Sequence, residues 1–382
     1  MRLEPVEGDA DEVLPRLRAA LDGDGPALGL GMVDAAAAEV PDGTVAVITT
    51  SGSTGIPKSV VLSRDALLAS TDATAARIGE GAWLLTLPAG YVAGLQVCIR
   101  SLRAGHDPVV LEGRFTPVGF AEATLALPPV ARYTSLVPVQ LSRLLDAAET
   151  DAAVATALRA YDAILVGGQA LPAAVLERAR DAGARIVRTY GSTETCGGCV
   201  YDGAPLDGVE LAIVDGELRI SGATLADGYL GDPELTDRVF VTDATETRWY
   251  RTGDAGIIDG GILRIHGRID NVIVSGGVNI SLDRVERVVR DVPGLSGAVV
   301  VGVPDAQWGE ASVIVVARGE AFRRSESMKL DEARRAVGAT LGSPARPARL
   351  VLVDELVLLP SGKPDREAIR RAVTPRRAAR TD

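Results

Sequence analysis

Between about residues 45 and 190 the chain repeats one pattern: a short apolar run, a turn marked by Gly or Pro, then a stretch with helical spacing. The runs are Val45 to Ile48, WLLTLP (83–88), DPVVLE (107–112), RYTSLVP (132–138), YDAILVGG (161–168) and ARIVRTY (184–190). Short apolar runs divided by helical segments suit a buried parallel sheet, because each strand is covered on both faces. The last unit is the clearest. LPAAVLERARDAG has a proline near its start, apolar residues at helical spacing and a closing Gly183, so strand, helix and strand make a βαβ crossover. The class is α/β, with ligands expected in the loops that follow the strands.

The first run leads into ITTSGSTGIPKSVVLS (48–63). Against the phosphate loop G-x-x-x-x-G-K-[ST], Gly52, Lys58 and Ser59 match, but Pro57 occupies the second glycine position. That loop cradles phosphates with successive backbone N–H groups at a helix start, and proline supplies no N–H and fixes φ. Kinase-like and GTPase-like readings are thereby disfavoured. What remains is Thr49, Thr50, Ser51, Gly52, Ser53, Thr54 and Gly55 closed by Lys58: five hydroxyls, two glycines and one cation, a set that suits pyrophosphate. Taken alone, the stretch also reads as an ordinary Ser/Gly loop.

Charge narrows the partners. At a net −11, any anionic ligand must be held by local cations, and nucleic acid is excluded as a partner. The basic tail, Arg370, Arg371, Arg376, Arg377 and Arg380, reads as a solvated helix end and frayed terminus. Of 40 basic residues only Lys58, Lys329 and Lys363 are lysines. Where arginine is the default, a compact ammonium in a loop signals chemistry a planar guanidinium cannot do, which singles out Lys58 and Lys363. Cys98, Cys196 and Cys199 are too few for a disulfide framework, and with only His106 and His266 the lone C-x-x-C makes a poor zinc site, so all three read as small buried residues. No apolar run approaches the roughly 20 residues of a membrane span, which argues for a cytoplasmic protein without membrane insertion. Self-association is left open.

After residue 205 the pattern changes to hairpins, with Asp215-Gly216 between VELAIV and ELRIS and Asp259-Gly260-Gly261 between GII and ILRIHG. Residues 271–382 read as an α+β unit with helices near 281–291 and 329–340, strands GAVVVGV, ASVIVVA and ARLVLVDE, and a mobile surface loop at 318–328. The expectation is a large amino-terminal domain, residues 1–269, of βαβ units plus a small β-subdomain. A small mobile α+β carboxy-terminal domain, residues 270–382, follows.

Four further segments stand out: YGSTETCGG (190–198), YRTGDAG (250–256), GRIDNVIVSGGVNISLDRVE (267–286) and PSGKPDR (360–366). With the opening loop, in this order, they resemble the acyl-adenylate-forming superfamily of acyl-CoA ligases, nonribosomal adenylation domains and luciferases, from about residue 45 to 370. The resemblance implies ATP, Mg²⁺ and coenzyme A as cosubstrates and cofactor, with small molecules as the partners. In the implied reaction a carboxylate attacks the α-phosphorus of ATP, giving acyl-AMP and pyrophosphate, and a thiol then displaces AMP. It assigns Glu194 to the metal, with Thr193 beside it as a catalytic hydroxyl. It assigns Gly168, Gln169, Ala170, Tyr190, Gly191, Ser192 and Thr193, with the opening loop, to ATP or AMP. Asp254 is implied on the ribose hydroxyls, Arg268 beside the same sugar and phosphate, and Asp270 at the hinge. Lys363 matches the adenylation lysine, which bridges carboxylate and α-phosphate as charge builds on them. After adenylation the small domain is expected to swing, withdrawing Lys363 and bringing Ser275, Gly276 and Gly277 to line a thiol tunnel.

Within the superfamily, LPAGYVAGLQVCIRSLRAG (87–105) and YTSLVPVQLSRLLD (133–146) resemble o-succinylbenzoate–CoA ligases of menaquinone biosynthesis, in their short actinobacterial form. Common members are longer ahead of the phosphate loop. Polar residues in the acyl-pocket segments, Gln96, Arg100, Ser135 and Gln140 among them, suit a second carboxylate or a ketone better than a fatty chain. Three positions depart from the family pattern: Tyr91 stands where a histidine is usual, Val274 where a lysine is frequent, and Ser59 where glycine follows the loop lysine. The rival expectations are a ligase for another acyl or aryl acid, an adenylation domain loading a carrier protein, and a non-catalytic nucleotide-binding module.

Overall fold

The apolar runs of the first half assemble into a seven-stranded sheet. Its order is Ala204–Pro205, Gly197–Tyr201, Ile186–Ser192, Ala163–Val166, Arg132–Leu136, Ala82–Leu85 and Val109–Val110. The five strands from Ile186–Ser192 onward are mutually parallel, and the first two are antiparallel. Helices Pro117–Ala126, Pro138–Ala148, Ala152–Arg159 and Ala173–Asp181 contribute to the core of this sheet, in which Leu84, Phe120, Leu141, Leu144, Tyr161 and Ile164 are buried. The expected βαβ unit is present, and Gly183 closes its helix segment at φ 78°.

These observations come from a computed structural model that describes residues 1–33, 39–50, 57–318, 326–359 and 363–374. The chain forms two compact units. The first comprises Met1–Leu171, Val175–Thr252 and Ile257–Arg264; the second comprises Pro172–Ala174, Gly253–Gly256 and Ile265–Asp382.

A second sheet in the first unit runs Leu3–Val6, Ala27–Leu30, Thr44–Thr50, Lys58–Ser63 and Gly228–Tyr229. Here Thr44–Thr50 and Lys58–Ser63 pair antiparallel, with Thr50 opposite Lys58. Lys58 therefore opens a strand. In the commonest phosphate loop the lysine leads into a helix, so Pro57 was a true sign of a different architecture. The β-subdomain follows its turn signals, with Asp215 (φ 53°) and Gly216 (φ 80°) joining Val209–Val214 to Glu217–Gly222 in the left-handed geometry of a tight hairpin.

The second unit has a sheet of order Val278–Ser281, Val272–Ser275, Gly309–Ala317 and Val299–Asp305, with Arg349–Val353 parallel to Gly309–Ala317. Alternation sorts its residues: Val300 and Ile314 pack with Val285, Val289 and Val337, while Val299, Val301, Val313 and Val315 pack with Ile369 and Val373. The helix expected near 329–340 begins earlier, at Glu326, so Glu326 to Met328 belong to it and not to a surface loop; residues 319–325 lie outside the described residues. Among the described residues no helix is long and apolar enough to cross a membrane.

Candidate active site

The first unit gathers its site at the carboxyl ends of the parallel strands. Strand Ile186–Ser192 runs directly into a 3-10 turn, Thr193–Thr195, in which the Thr195 Oγ1 accepts the Ser192 N–H at 2.9 Å and donates to Gly197 O at 2.8 Å. Gly191 is required there, since a Cβ would lie 2.0 Å from Gly197 O. The turn holds Thr193 buried and Glu194 half-buried. Ser192 Oγ is buried with no hydrogen-bond partner among the described residues. After the neighbouring strand Ala163–Val166, Gly168 takes φ 79° and leads to half-buried Gln169 and exposed Ala170.

One distant segment meets Glu194 twice. Its carboxylate accepts the Tyr229 hydroxyl at 2.9 Å, and its backbone carbonyl accepts the Ala226 N–H at 2.9 Å. The Tyr229 ring lies under the Lys58 ammonium, 5.7 Å from Nζ to centroid. Glutamate, tyrosine and loop lysine thus form one cluster. Thr50 Oγ1 donates to Lys58 O at 3.4 Å, while Ser59 pairs with Thr49 across the hairpin at 3.0 Å, so the serine departure serves the strand pair. Ser51, Gly52, Ser53, Thr54 and Gly55 lie outside the described residues. Sequence reasoning missed Tyr229, whose signal was only a glycine-flanked tyrosine in LADGYLGD.

The second unit builds a separate cluster. Arg268 holds Asp270 with two hydrogen bonds, 3.0 and 2.9 Å, and its Nη1 lies 3.5 Å from Asp254 Oδ1. Its own N–H donates to Asp283 Oδ2 at 2.8 Å, and Gly253 passes so close that a Cβ would meet the guanidinium at 2.8 Å. In the same unit Gly276 (φ 57°) and Gly277 (φ 80°) turn strand Val272–Ser275, ending on buried Ser275, into Val278–Ser281. Val274 is exposed, with its N–H given to Glu310. Lys363 is exposed, and its carbonyl accepts the Leu359 N–H at 2.7 Å; Ser361 and Gly362 lie outside the described residues. Just beyond it Asp365 caps helix Arg366–Val373 and Arg366 grips Glu286 at 2.8 and 2.9 Å.

Residues 6–230 match the family model described as AMP-binding enzyme, and residues 284–363 match its C-terminal domain. The chain belongs to the AMP-binding enzyme family. Among relatives of this AMP-binding enzyme, a protein of Mycobacterium tuberculosis named "Probable 2-succinylbenzoate--CoA ligase" is 38% identical over 94% of this chain and 94% of its own. The 2-succinylbenzoate–CoA ligase of Escherichia coli is 35% identical over 70% of this chain and 57% of its own. In structure the enzyme resembles the o-succinylbenzoate CoA synthetase of Bacillus subtilis in complex with its acyl-adenylate intermediate, with a TM-score of 0.73 and 25% identity, covering 94% of this chain and 81% of that one.

The donor set suits magnesium delivered with a nucleotide. Among the described residues no group of three or more His, Cys, Asp or Glu can hold a metal by itself, whereas one carboxylate plus phosphate oxygens and water is how Mg²⁺ is usually bound at such sites.

The polar residues expected in the acyl pocket divide. Tyr91 caps helix Val92–Arg103, half-buried, and burial raises its phenol pKa; Ser135 is buried in strand Arg132–Leu136. Gln96 and Gln140 have their amides engaged within the fold. The Gln96 amide donates to Leu67 O and Cys196 O and accepts from Thr71, and Gln140 accepts the Val137 N–H and donates to Thr86 O. Arg100 is placed differently. It lies in the last turn of its helix, 5.4 Å over Trp83, among Gly79 and Glu80, which precede strand Ala82–Leu85 and lie away from its ligand-facing carboxyl end. Burial lowers its pKa and leaves Nε without a partner among the described residues.

Proposed function

We propose that this AMP-binding enzyme is an AMP-forming ligase that joins o-succinylbenzoate to coenzyme A, the activity for which its relatives are named, as a step of menaquinone biosynthesis. The observation that carries the reading is the 38% identity to the Mycobacterium tuberculosis relative over 94% of both chains. The cluster of Lys58, Tyr229 and Glu194 supports its chemistry, because it sets a cation and a metal-binding carboxylate at the strand ends where a triphosphate belongs.

In the first half-reaction an oxygen of the acid forms a bond to the α-phosphorus while the bond from that phosphorus to pyrophosphate breaks. Lys58 takes the phosphate charge and Asp254 accepts the ribose hydroxyls. Arg268 lies beside sugar and phosphate, and Lys363 bridges the carboxylate and α-phosphate as charge accumulates. Glu194, seconded by Thr193, holds Mg²⁺, which when bound neutralises charge on the triphosphate. In the second half-reaction the thiol sulfur attacks the acyl carbon, its proton leaves to solvent, and AMP departs with the oxygen that had joined them. The Ser275–Gly277 turn lines the thiol path in that step, after the small domain has swung about Asp270. Tyr91 and Ser135 face the acid.

Coenzyme A ligation with a panel of acids tests this. The kcat/KM for o-succinylbenzoate is expected to exceed that for benzoate or a medium-chain fatty acid by about 10²-fold. A preference for a fatty acid, or rejection of o-succinylbenzoate, overturns the reading.

A further inference from the structure

We propose that Tyr229 is a positioning residue that aims the Glu194 carboxylate for magnesium while keeping Lys58 available to phosphate. The inference rests on the nucleotide site proposed above and adds a residue that its motifs do not contain.

Lys58 and Glu194 carry opposite charges and both are half-buried. A direct ion pair would occupy the groups that must meet phosphate and metal. Tyr229 supplies each with a different partner. Its ring face takes the ammonium at 5.7 Å, a contact of the modest strength that a phosphate can displace. Its hydroxyl takes one carboxylate oxygen at 2.9 Å, which fixes the plane of the carboxylate and leaves Oε2 to turn toward a metal.

The tyrosine is itself rigidly held. It is 7% exposed, packs on Phe240 with ring centroids 5.9 Å apart, and gives its N–H to Thr236 Oγ1 at 2.9 Å. Gly228 and Tyr229 pair with Val61 and Val60, two residues beyond the lysine, and Leu230 N–H reaches Ser59 O at 2.8 Å. Ala226 meanwhile bonds the Glu194 carbonyl. One five-residue segment therefore fixes the metal carboxylate and the phosphate cation relative to each other. A merely structural tyrosine would need the packing but not the hydroxyl.

Tyr229→Phe removes the hydroxyl and keeps the ring. The test is a Mg²⁺ titration at fixed ATP on the full chain, read both by nucleotide binding and by pyrophosphate release. The half-saturating Mg²⁺ is expected to rise about tenfold, with kcat at saturating Mg²⁺ and the thioester step from supplied acyl-AMP changed less than twofold. In a Glu194→Gln background the same substitution should add nothing, because its effect passes through the carboxylate. An unchanged Mg²⁺ requirement, a full additional effect in the Glu194→Gln background, or a Tyr229→Phe protein that fails to fold would each overturn the proposal. Failure of the ligase reading is distinguishable: wild-type protein would then reject o-succinylbenzoate or prefer another acid in the panel, while the nucleotide-binding titration with Mg²⁺, which needs no acid, still reads Tyr229.

Discussion

Arg268 clasps Asp270 through two parallel contacts, Nε to Oδ1 at 3.0 Å and Nη2 to Oδ2 at 2.9 Å. The same guanidinium stands 3.5 Å from Asp254, so a residue proposed for the nucleotide is shared between Asp254, proposed for the ribose, and Asp270, proposed for the hinge. A nucleotide phosphate must compete with Asp270 for it. Asp270→Asn is expected to tighten AMP binding severalfold in calorimetry. Arg268→Lys, which cannot reproduce a two-pronged contact, should weaken it about tenfold.

Lys363→Ala is expected to reduce acyl-AMP formation by about 10²–10³-fold, the scale of losing one charge-stabilising donor, with ATP affinity and thioester formation from supplied acyl-AMP largely intact. Single-turnover assays of the two half-reactions check this. Lys363→Arg should recover little, since a forked guanidinium does not replace a point charge.

Glu286 is 5% exposed and binds Arg366 at 2.8 and 2.9 Å, Arg290 at 2.8 Å and the Val300 N–H at 2.8 Å. Glu286→Ala leaves largely buried Arg290 and its neighbour without this shared carboxylate, at a cost of about 3 kcal/mol to the second unit. Denaturant melts should show it. Because Arg366 anchors the chain just after Lys363, adenylation should fall more than thiolysis.

Burial pushes the Cys98 and Cys199 thiols up to about 12 and raises that of Cys196 as well. A raised thiol pKa keeps the group protonated through neutral and mildly alkaline pH, so none of the three is a thiolate at pH 8. Folded enzyme should give no fast reaction with a disulfide reagent at that pH, and three equivalents after denaturation.

The sheet was legible because its inner strands are buried on both faces: ILV in Ala163–Val166 and LL in Ala82–Leu85 can only be core. The turns that carry the motifs were legible because Thr193–Thr195 demands a glycine at Gly191, a fixed distance from Glu194. Side-chain purpose was harder to read. Gln96 and Gln140 look like ligand-facing amides in a list of polar residues, yet they satisfy backbone groups at helix and strand ends, a demand set by tertiary contacts up to 100 residues away. Arg100 follows the same rule, since helical geometry carries it back to the start of the strand it follows. Tyr229 was invisible for a related reason: its strand is two residues long, and only pairing with Val60–Val61 gives it a place.

Acid labelled with ¹⁸O in the reacting carboxylate tests the adenylation chemistry most directly. After a full turnover with ATP, Mg²⁺ and coenzyme A, mass analysis of the nucleotide product should find AMP carrying one ¹⁸O, the oxygen that joined acyl carbon to phosphorus. Unlabelled AMP, or ADP with the label in inorganic phosphate, contradicts an acyl-adenylate.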